Sequence, residues 1–453
     1  MQSPPTCRFV TFGCKVNQYD SQAMREDLLS RGWTEAAGTD ADVVVVDTCS
    51  VTETAAREAL RRIRQLARRP GARVVVTGCM VPSHRAALEA IPCVFLLVTT
   101  DGKARLGEAL SGPPSPAPGP PGWLDGGAGD TFRRGISRFA GRTRAFVKVQ
   151  DGCDHACAYC IVPKVRGRSR SRAPEDAVAE ARRLVGAGYR ELVLTGIHLG
   201  AYGRDLPGRP RLFDLAARLL AIPGRWRLRL SSIESNELRA EDVEAFASLC
   251  AGGPGGSAPR LCPHLHLPLQ SGSVEVLRRM RRPYDLAAFE RTVAGLRARL
   301  PDVAITTDLL VGFPGETDRD AAATLAAAER LAFSRIHAFP FSPRPGTEAA
   351  GMAGTVPAPT VRARMRALAR VARASAESFH RRFVGRDTEV LVEERPDRRT
   401  GRPCGYSGHY VRVLLPSGTP RGGLVDARIA SADADATIAE PGLRSPRPAS
   451  FAV

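Results

Sequence analysis

Three cysteines share one short segment near the middle of the chain. Cys153, Cys157 and Cys160 follow a C-x3-C-x2-C spacing between Asp151 and Pro163. Closely spaced cysteines in a protein without a secretion signal indicate metal ligands before disulfides. Structural zinc usually takes four ligands, arranged as two separated pairs. A four-iron cubane has four corners, so three thiolates leave one iron open to an external ligand. The spacing favours the iron–sulfur interpretation, with a zinc knuckle as the alternative.

A second set of cysteines follows three strand-like runs in the N-terminal third. The runs Arg8–Phe12, Asp42–Val46 and Arg73–Thr77 are rich in β-branched residues, which is typical of parallel strands buried on both faces. Helical patterns at Ser21–Arg31 and Thr52–Arg68 separate them. Each run leads into a cysteine, and these are Cys14, Cys49 and Cys79.

Because ligands bind outside the carboxyl ends of the strands in an open α/β sheet, we expect these three cysteines to meet at one edge. The alternative is that each is a buried structural cysteine. That simpler interpretation is kept for the five cysteines without such placement, which are Cys7, Cys93, Cys250, Cys262 and Cys404.

The central part of the chain alternates strand-like and helical runs, which predicts a parallel sheet closed or partly closed into a barrel. The six predicted strands are Ala145–Gln150, Glu191–Leu194, Arg227–Leu230, His264–Leu267, Val303–Leu310 and Arg335–Phe341. Polar or glycine-rich motifs lie at the strand ends, where such barrels carry their active sites. Besides the cysteine loop, they are Thr195–Gly203, Ser231–Ser235, His264–Gly272 and Asp308–Thr317.

Composition divides the chain further. A stretch rich in proline and glycine at Ser111–Asp130 marks a linker, and three alternating runs near the C-terminus indicate a small all-β barrel. The predicted organisation is an α/β chain with a flavodoxin- or Rossmann-like parallel-sheet domain over residues 5–110, a linker over 111–138, a partial (β/α)6 barrel over 139–376, a small β-barrel over 377–440 and a tail over 441–453.

Charge favours a polyanionic partner. The 453-residue chain has a formal net charge of +18, almost all of it from arginine, although a compositional bias of the genome would also produce that excess. Two basic stretches stand out, the helical Thr360–Arg382 and the run Lys164–Arg172. We predict that both contact RNA phosphates, with a solvated helix face as the alternative for the first. We expect the arginines beside the cysteine loop, Arg166 and Arg168, to line the mouth of the site.

Both cysteine sets and the motifs at the barrel rim resemble the radical S-adenosylmethionine (SAM) methylthiotransferases. The resemblance covers roughly residues 7–440 and is strongest to the bacterial enzymes that act on N6-threonylcarbamoyladenosine in tRNA. The segments Thr11–Asp20, Thr195–Gly203 and Arg229–Glu234 are similar to their signatures. Asp47 departs from the pattern, because the family usually has asparagine before the Thr-Cys pair.

The resemblance implies two [4Fe–4S] clusters, one on each cysteine triad, with SAM bound to the cluster of Cys153, Cys157 and Cys160. It implies no catalytic side chain beyond the cluster ligands. The SAM contacts that it suggests are Tyr159, Gly196, Ser232, Glu234 and Gly312, although a glycine at a strand end is often only a turn. His264 and His266 are as compatible with packing as with substrate contact.

The expected reaction is methylthiolation at C2 of threonylcarbamoyladenosine beside the tRNA anticodon. The expected partners are the anticodon loop, an electron donor such as flavodoxin or ferredoxin, and a sulfur source. The C-terminal barrel would be a TRAM-like RNA-binding domain, in a cytoplasmic protein without a membrane span. Three alternatives stay open: an isopentenyladenosine-directed tRNA enzyme, a ribosomal-protein methylthiotransferase, and a non-catalytic iron–sulfur or zinc RNA-binding protein.

Overall fold

The computed structural model describes residues 3–36, 41–50, 53–69, 71–111, 120–127, 132, 134–251 and 261–440. The predicted tail over 441–453 and part of the predicted linker lie outside these residues.

The N-terminal part is a six-stranded parallel sheet flanked by helices, as the valine-rich runs predict. Its strands are β1 (Thr6–Thr11), β2 (Thr34–Glu35), β3 (Val43–Thr48), β4 (Val74–Gly78), β5 (Val94–Val98) and β6 (Gly122–Leu124), in the order β2-β1-β3-β4-β5-β6. Its helices are α1 (Lys15–Ser30), α2 (Glu53–Leu66), α3 (Arg85–Glu89) and α4 (Leu106–Ala109). The central strands β3 and β4 are fully buried, because helices cover both faces of the sheet.

Two predictions in this part need correction. Strand β6 falls inside the predicted linker, where three residues pair with β5 at the edge of the sheet. An edge strand tolerates the surrounding prolines and glycines, since half of its backbone needs no partner. Helix α1 begins at Lys15, directly after Cys14, and not at Ser21. The first turns of this helix bury the polar residues Asn17 and Asp20. A sequence pattern that expects apolar residues on the buried face of a helix therefore misses these turns.

The central part is a partial barrel of six parallel strands, which confirms the predicted architecture. Its first half contains β7 (Ala145–Lys148), the hairpin β8 (Gln150–Asp151) and β9 (Arg170–Ser171), β10 (Glu191–Thr195) and β11 (Arg227–Leu230), with helices α5 (Val162–Arg166), α6 (Pro174–Gly186) and α7 (Leu212–Leu220). Its second half contains α8 (Ala240–Ala251), β12 (His264–His266), α9 (Val274–Arg279), α10 (Leu286–Arg299), β13 (Ala304–Val311), α11 (Asp318–Leu331), β14 (Arg335–Pro340) and α12 (Ala358–Arg381).

The two halves pair as β11-β10-β7 and β12-β13-β14, and single bridges from Leu228 to Leu261 and from Ser232 to His266 join them. In strands β11 to β14, alternate residues pack against the helices in one large core, which includes Leu265, Leu309 and Ile336. The intervening residues point to the opposite face, the lumen of the partial barrel.

The C-terminal part is a closed five-stranded barrel, as expected for a TRAM-like domain. Its strands are β15 (Asp387–Val392), β16 (Cys404–Ser407), β17 (Arg412–Leu414), β18 (Leu424–Ala432) and β19 (Thr437–Ala439). It docks on the central barrel through two buried arginines of β11. Arg227 donates to the carbonyl of Tyr406 (2.7 Å) and Arg229 to that of Ser407 (3.0 Å), while Glu191 pairs with both guanidinium groups. No helix among the described residues is both long and apolar enough to cross a membrane.

Candidate active site at the junction of the sheet and the barrel

The cysteine loop lines a cavity of about 140 Å³ at the C-terminal end of the barrel strands. Loops of four other barrel segments close the cavity. Its walls are formed by Cys153, His155, Cys157, Tyr159, Cys160, Val162, Ile197, His198, Glu234, Gln270 and Arg282. The structure therefore brings the three cysteines of the C-x3-C-x2-C spacing together with two of the predicted SAM contacts, Tyr159 and Glu234.

Arg282 organises this cavity, although the sequence interpretation did not single it out. Its guanidinium group donates to Cys157 Sγ (3.4 Å) and to the Tyr159 hydroxyl (3.2 Å), and it forms an ion pair with Glu234. The Arg282 side chain is only 3% exposed, so its charge is held close to the thiols in a poorly solvated place. Arg282 is one of four arginines in Arg278–Pro283, and nothing in their spacing distinguishes it, which is why the sequence did not reveal it.

The other predicted SAM contacts lie around the cavity but do not line it. Gly196 directly precedes the lining residue Ile197, and Ser232 lies two residues before the lining residue Glu234. A Cβ on Gly196 would lie 2.9 Å from Gln150 Oε1, so close packing already requires glycine there. The Gly312 amide donates to Glu316 (2.6 Å), and Val361 of α12 covers its Cα. Gly312 is therefore packed against Glu316 and Val361 and is not among the residues that line the cavity.

The three thiols line one cavity, and their chemistry suits ligands of an iron–sulfur cluster. Burial raises the pKa of Cys153 to about 12 and that of Cys160 to about 11. Ligand thiols must lose their protons, so a cation bound between them would relieve this cost. A different triad, Cys153, His155 and His198, has donor atoms within 4.8 Å of one another and would also suit zinc. That arrangement leaves Cys157 and Cys160 unused, whereas a cubane uses all three thiols of the cavity wall.

The second cysteine set meets at the carboxyl edge of the N-terminal sheet, as the strand pattern predicts. Cys14, Cys49 and Cys79 follow β1, β3 and β4. Gly13 is packed so tightly that a Cβ would lie 2.7 Å from Cys49 Sγ, and its φ of +100° also requires glycine. The described cysteines, these included, are free thiols.

The two cysteine sets face the same junction. Cys79 packs with Ile161 and Val165, which belong to the segment directly after Cys160. Thr100 donates to the carbonyl of Val165 (2.7 Å), and Arg344 of the barrel donates to the carbonyl of Ser50. A substrate bound at this junction would therefore reach both sets.

A buried ion network joins the sheet to the barrel beneath the cysteines. The sheet part contributes Asp20, Asp47 and Lys103, and the barrel contributes Lys148, Asp151 and Arg166. Each group is at most 7% exposed. Three carboxylates therefore face three cations, with the excess negative charge on the sheet side and the excess positive charge on the barrel side. This complementarity fixes how the two parts dock.

Arg166 connects this network to the cysteines, which corrects its predicted place at the mouth of the site. It is 2% exposed, and it donates to Asp151 (2.9 Å) and to Asn17. Burial raises the pKa of Cys79, and the charge of Arg166, with a hydrogen bond from the same group, opposes that shift. Arg172 of the same basic run is also buried, in an ion pair with Glu180 (3.0 Å). Arg168 remains exposed, so the run is not a continuous phosphate-binding surface.

Comparison with known proteins agrees with this architecture. Residues 6–99 match the model of the uncharacterized protein family UPF0004, and residues 147–328 match that of the radical SAM superfamily. The fold is similar to the solved structure of the radical SAM methyltransferase TsrM from Kitasatospora setae with cobalamin and a [4Fe–4S] cluster bound. The TM-score is 0.53 at 16% identity, over 77% of each chain.

Two curated relatives are similar over nearly the full chain. The chain is 37% identical to the threonylcarbamoyladenosine tRNA methylthiotransferase MtaB of Thermotoga maritima, over 90% of each chain. It is 39% identical to the tRNA-2-methylthio-N(6)-dimethylallyladenosine synthase of Anaeromyxobacter dehalogenans, over 88% of this chain and 87% of the relative. The chain therefore belongs to the family of radical SAM tRNA methylthiotransferases, whose cofactors are [4Fe–4S] clusters and SAM.

Proposed function

We propose that this enzyme methylthiolates C2 of N6-threonylcarbamoyladenosine next to the tRNA anticodon and uses two [4Fe–4S] clusters to do so. The observation that carries the proposal is the meeting of the two cysteine sets at one junction, where Cys79 packs against the segment that follows Cys160. The cofactors would supply the radical, the sulfur and the methyl group there. An electron donor such as flavodoxin or ferredoxin, a sulfur source and a cytoplasmic location complete the proposal.

In this proposal the chain's own residues bind and orient the cofactors. Cys153, Cys157 and Cys160 would hold the cluster that binds SAM, with Tyr159 and Glu234 in the wall of the same cavity. Arg282 would hold the Glu234 carboxylate and place positive charge beside the Cys157 thiolate. Cys14, Cys49 and Cys79 would hold the second cluster, with Arg166 donating to its Cys79 ligand.

The surface of α12 supports an RNA substrate. Arg362, Arg366 and Arg370 follow one another at four-residue spacing, so they form one exposed stripe on the helix. No ion pair or hydrogen bond of these three side chains is found within the described part of the chain. The other arginines of the predicted basic stretch differ, since Arg364 pairs with Glu316 and Arg382 with Asp302. We assign the stripe to tRNA phosphates.

The substrate is tested by nucleoside analysis of tRNA from cells with and without the gene. Loss of the methylthio group from threonylcarbamoyladenosine alone supports the proposal. Loss from isopentenyladenosine instead would place the enzyme with the dimethylallyladenosine synthases, to which the chain is also similar. An unchanged nucleoside profile would contradict a tRNA substrate.

The two-cluster assignment is tested by iron content. Anoxically reconstituted protein should bind roughly eight irons, and replacing Cys14, Cys49 and Cys79 by alanine should remove about half of them. A triple variant that keeps its full iron content would refute the second cluster.

A further inference from the structure

The lumen of the barrel carries a polar surface that the cofactor sites do not use. It lies on the inward faces of three neighbouring strands, because Leu265, Ile305 and Ile336 of the same strands point outward into the helix-packed core. The inward residues on β12, β13 and β14 are His266, Thr306, Asp308, Arg335, His337 and Phe339. Strand register places Arg335 beside Thr306 and His337 beside Asp308.

Hydrogen bonds hold this lumen surface in shape. His266 bonds to the Thr306 hydroxyl through Nδ1 (2.9 Å), and its Nε2 lies 3.2 Å from an Asp308 carboxylate oxygen. The rings of His266 and His337 are 6.0 Å apart. Burial, helped by the charge of Arg335, lowers the pKa of His337 to about 4, so this ring is neutral at pH 7. It can therefore donate or accept a hydrogen bond without adding charge.

Lys15 adds a cation from the opposite side of the junction. It follows Cys14 at the start of α1 and is exposed, yet it is near enough to help lower the pKa of both His264 and His337, behind the larger effect of burial. Within the described part of the chain, no ion pair or hydrogen bond is found for the Lys15 ammonium group or the Arg335 guanidinium group. Together with Asp308 they leave the surface with one net positive charge.

Phe339 supplies an apolar face at the end of this surface. It is 43% exposed, one of only a few large apolar side chains that are so exposed in the described residues. It lies two residues beyond His337 on the same face of β14 and therefore nearer the carboxyl rim, where the cysteines lie. An exposed aromatic ring beside a cationic surface is the usual platform for a single-stranded base.

We infer that this surface is the nucleobase pocket, in which Phe339 stacks on the adenine of the substrate and Lys15, with Arg335 and His337, binds an anionic substituent on N6. The inference rests on the proposed function, since it explains how that substrate is chosen. Threonylcarbamoyl carries a carboxylate and a hydroxyl group, which neutralise the net positive charge and use the free donors. An isopentenyl group would leave these polar atoms unpaired, and a site built for polar groups rejects such a ligand.

The experiment measures equilibrium binding of three anticodon stem-loops to the anoxically reconstituted enzyme. They carry threonylcarbamoyladenosine, isopentenyladenosine or unmodified adenosine. In Lys15→Gln we expect affinity for the first RNA to fall about tenfold, with the other two changed less than about twofold, because only the first has a carboxylate. Lys15→Arg, which keeps the cation, should retain the wild-type preference for the threonylcarbamoyladenosine RNA. Phe339→Ala should weaken all three RNAs by a similar factor, since stacking does not depend on the N6 group.

Controls separate the pocket from the fold and from the substrate. Arg299→Gln removes an exposed cation from the outer helix α10, where it pairs with Glu244, and should not change any of the three affinities. Iron content and melting temperature should match the wild type in Lys15→Gln, because Lys15 is exposed and no ion pair or hydrogen bond is found for it in the described residues. If wild-type enzyme prefers threonylcarbamoyladenosine and Lys15→Gln keeps that preference, the pocket is assigned wrongly. If the wild type shows no preference, the proposed substrate is wrong and the inference falls with it.

Discussion

The two cysteine sites differ in how they are built. Cys153, Cys157 and Cys160 lie on one loop, and the cavity that they line belongs to the barrel alone. Cys14, Cys49 and Cys79 come from three separate loops, and the ion network beneath them is shared between the sheet and the barrel. The first site depends on local sequence, whereas the second depends on docking.

This difference teaches where the enzyme is vulnerable. A change in the cysteine loop removes a ligand but leaves the rest of the barrel core in place. A substitution in the buried network would alter the second site although every cysteine stays in place. Arg166 contacts both Asp151 of the barrel and the thiol of Cys79, so its loss would disturb both. The proposed function would thus require both a local motif and a correct interface.

The largest expected effects come from removing one ligand at each site. Cys157→Ala should abolish reductive cleavage of SAM, because the SAM-binding cluster loses a corner. Cys49→Ala should still form 5′-deoxyadenosine but yield no methylthio product. Both products are measured by liquid chromatography and mass spectrometry after anoxic turnover. Normal methylthiolation by Cys49→Ala would show that the second site is dispensable.

A buried cation of the interface should come next. Arg166→Gln leaves Asp151 with Lys148 only and takes a donor from Cys79, and breaking a buried pair typically costs about 3–5 kcal/mol. We expect a clearly lower melting temperature and loss of iron from the second site first. Arg168→Gln, at a side chain that is 92% exposed, is the matched control. Equal stability of the two variants would remove the interface from the account.

Acid should affect the C-terminal barrel before it affects the interface. Burial lowers the pKa of His409 to about 4, below its value of about 6.5 in an unfolded chain. As pH falls, His409 is protonated in the unfolded chain before it is protonated in the folded protein. The part of the unfolding free energy that depends on neutral His409 is complete above pH 6.5 and is lost as pH falls toward 4. Asp20 and Asp151, by contrast, keep lowered pKa values through their lysine and arginine partners, so these two carboxylates of the interface stay ionised at pH 5.

The test compares melting temperatures at pH 7 and pH 5. His409→Gln should reduce the acid-induced loss by on the order of 2 kcal/mol at pH 5. Iron at the second site should be unchanged over this range. A His409→Gln variant that is as acid-sensitive as the wild type would show that the loss arises elsewhere.

The smallest effect is expected at Asp47. Burial raises the pKa of this carboxyl although Lys103 lies 2.9 Å away, so ionising it is costly, and Lys103 keeps Asp20 as a partner after substitution. We expect Asp47→Asn to change the unfolding free energy by about 1 kcal/mol or less. Differential scanning calorimetry beside Arg166→Gln gives the comparison. A loss as large as that of Arg166→Gln would make Asp47 an equal member of the network.

The sequence predicted the parts of the site that follow from spacing or strand order. The three cysteines of the C-x3-C-x2-C loop line one cavity. The other three follow β1, β3 and β4, and the order of these strands brings their carboxyl ends to one edge of the sheet. The fold class was also predictable, since buried parallel strands are almost continuous runs of valine and leucine, as in Val43–Thr48.

Long-range contacts explain what the sequence did not reveal. Arg166 and Arg168 look alike in the basic run, but only the first meets carboxylates brought by α1 and β8. Arg282 contacts Cys157 although the two are more than a hundred residues apart in the sequence, so no local pattern predicts the contact. Strand β6 was missed because an edge strand of three residues within a glycine- and proline-rich stretch has no alternating pattern.

The most direct test of the central claim is anoxic turnover of the three anticodon stem-loops in parallel, followed by mass spectrometry of the digested RNA. The claim is that both sites act on one adenosine chosen by its threonylcarbamoyl group. It predicts methylthiolation of the threonylcarbamoyladenosine RNA, little product from the isopentenyladenosine or unmodified RNA, and none from any RNA with Cys49→Ala. Product mainly from the isopentenyladenosine RNA, or undiminished product from Cys49→Ala, would contradict it.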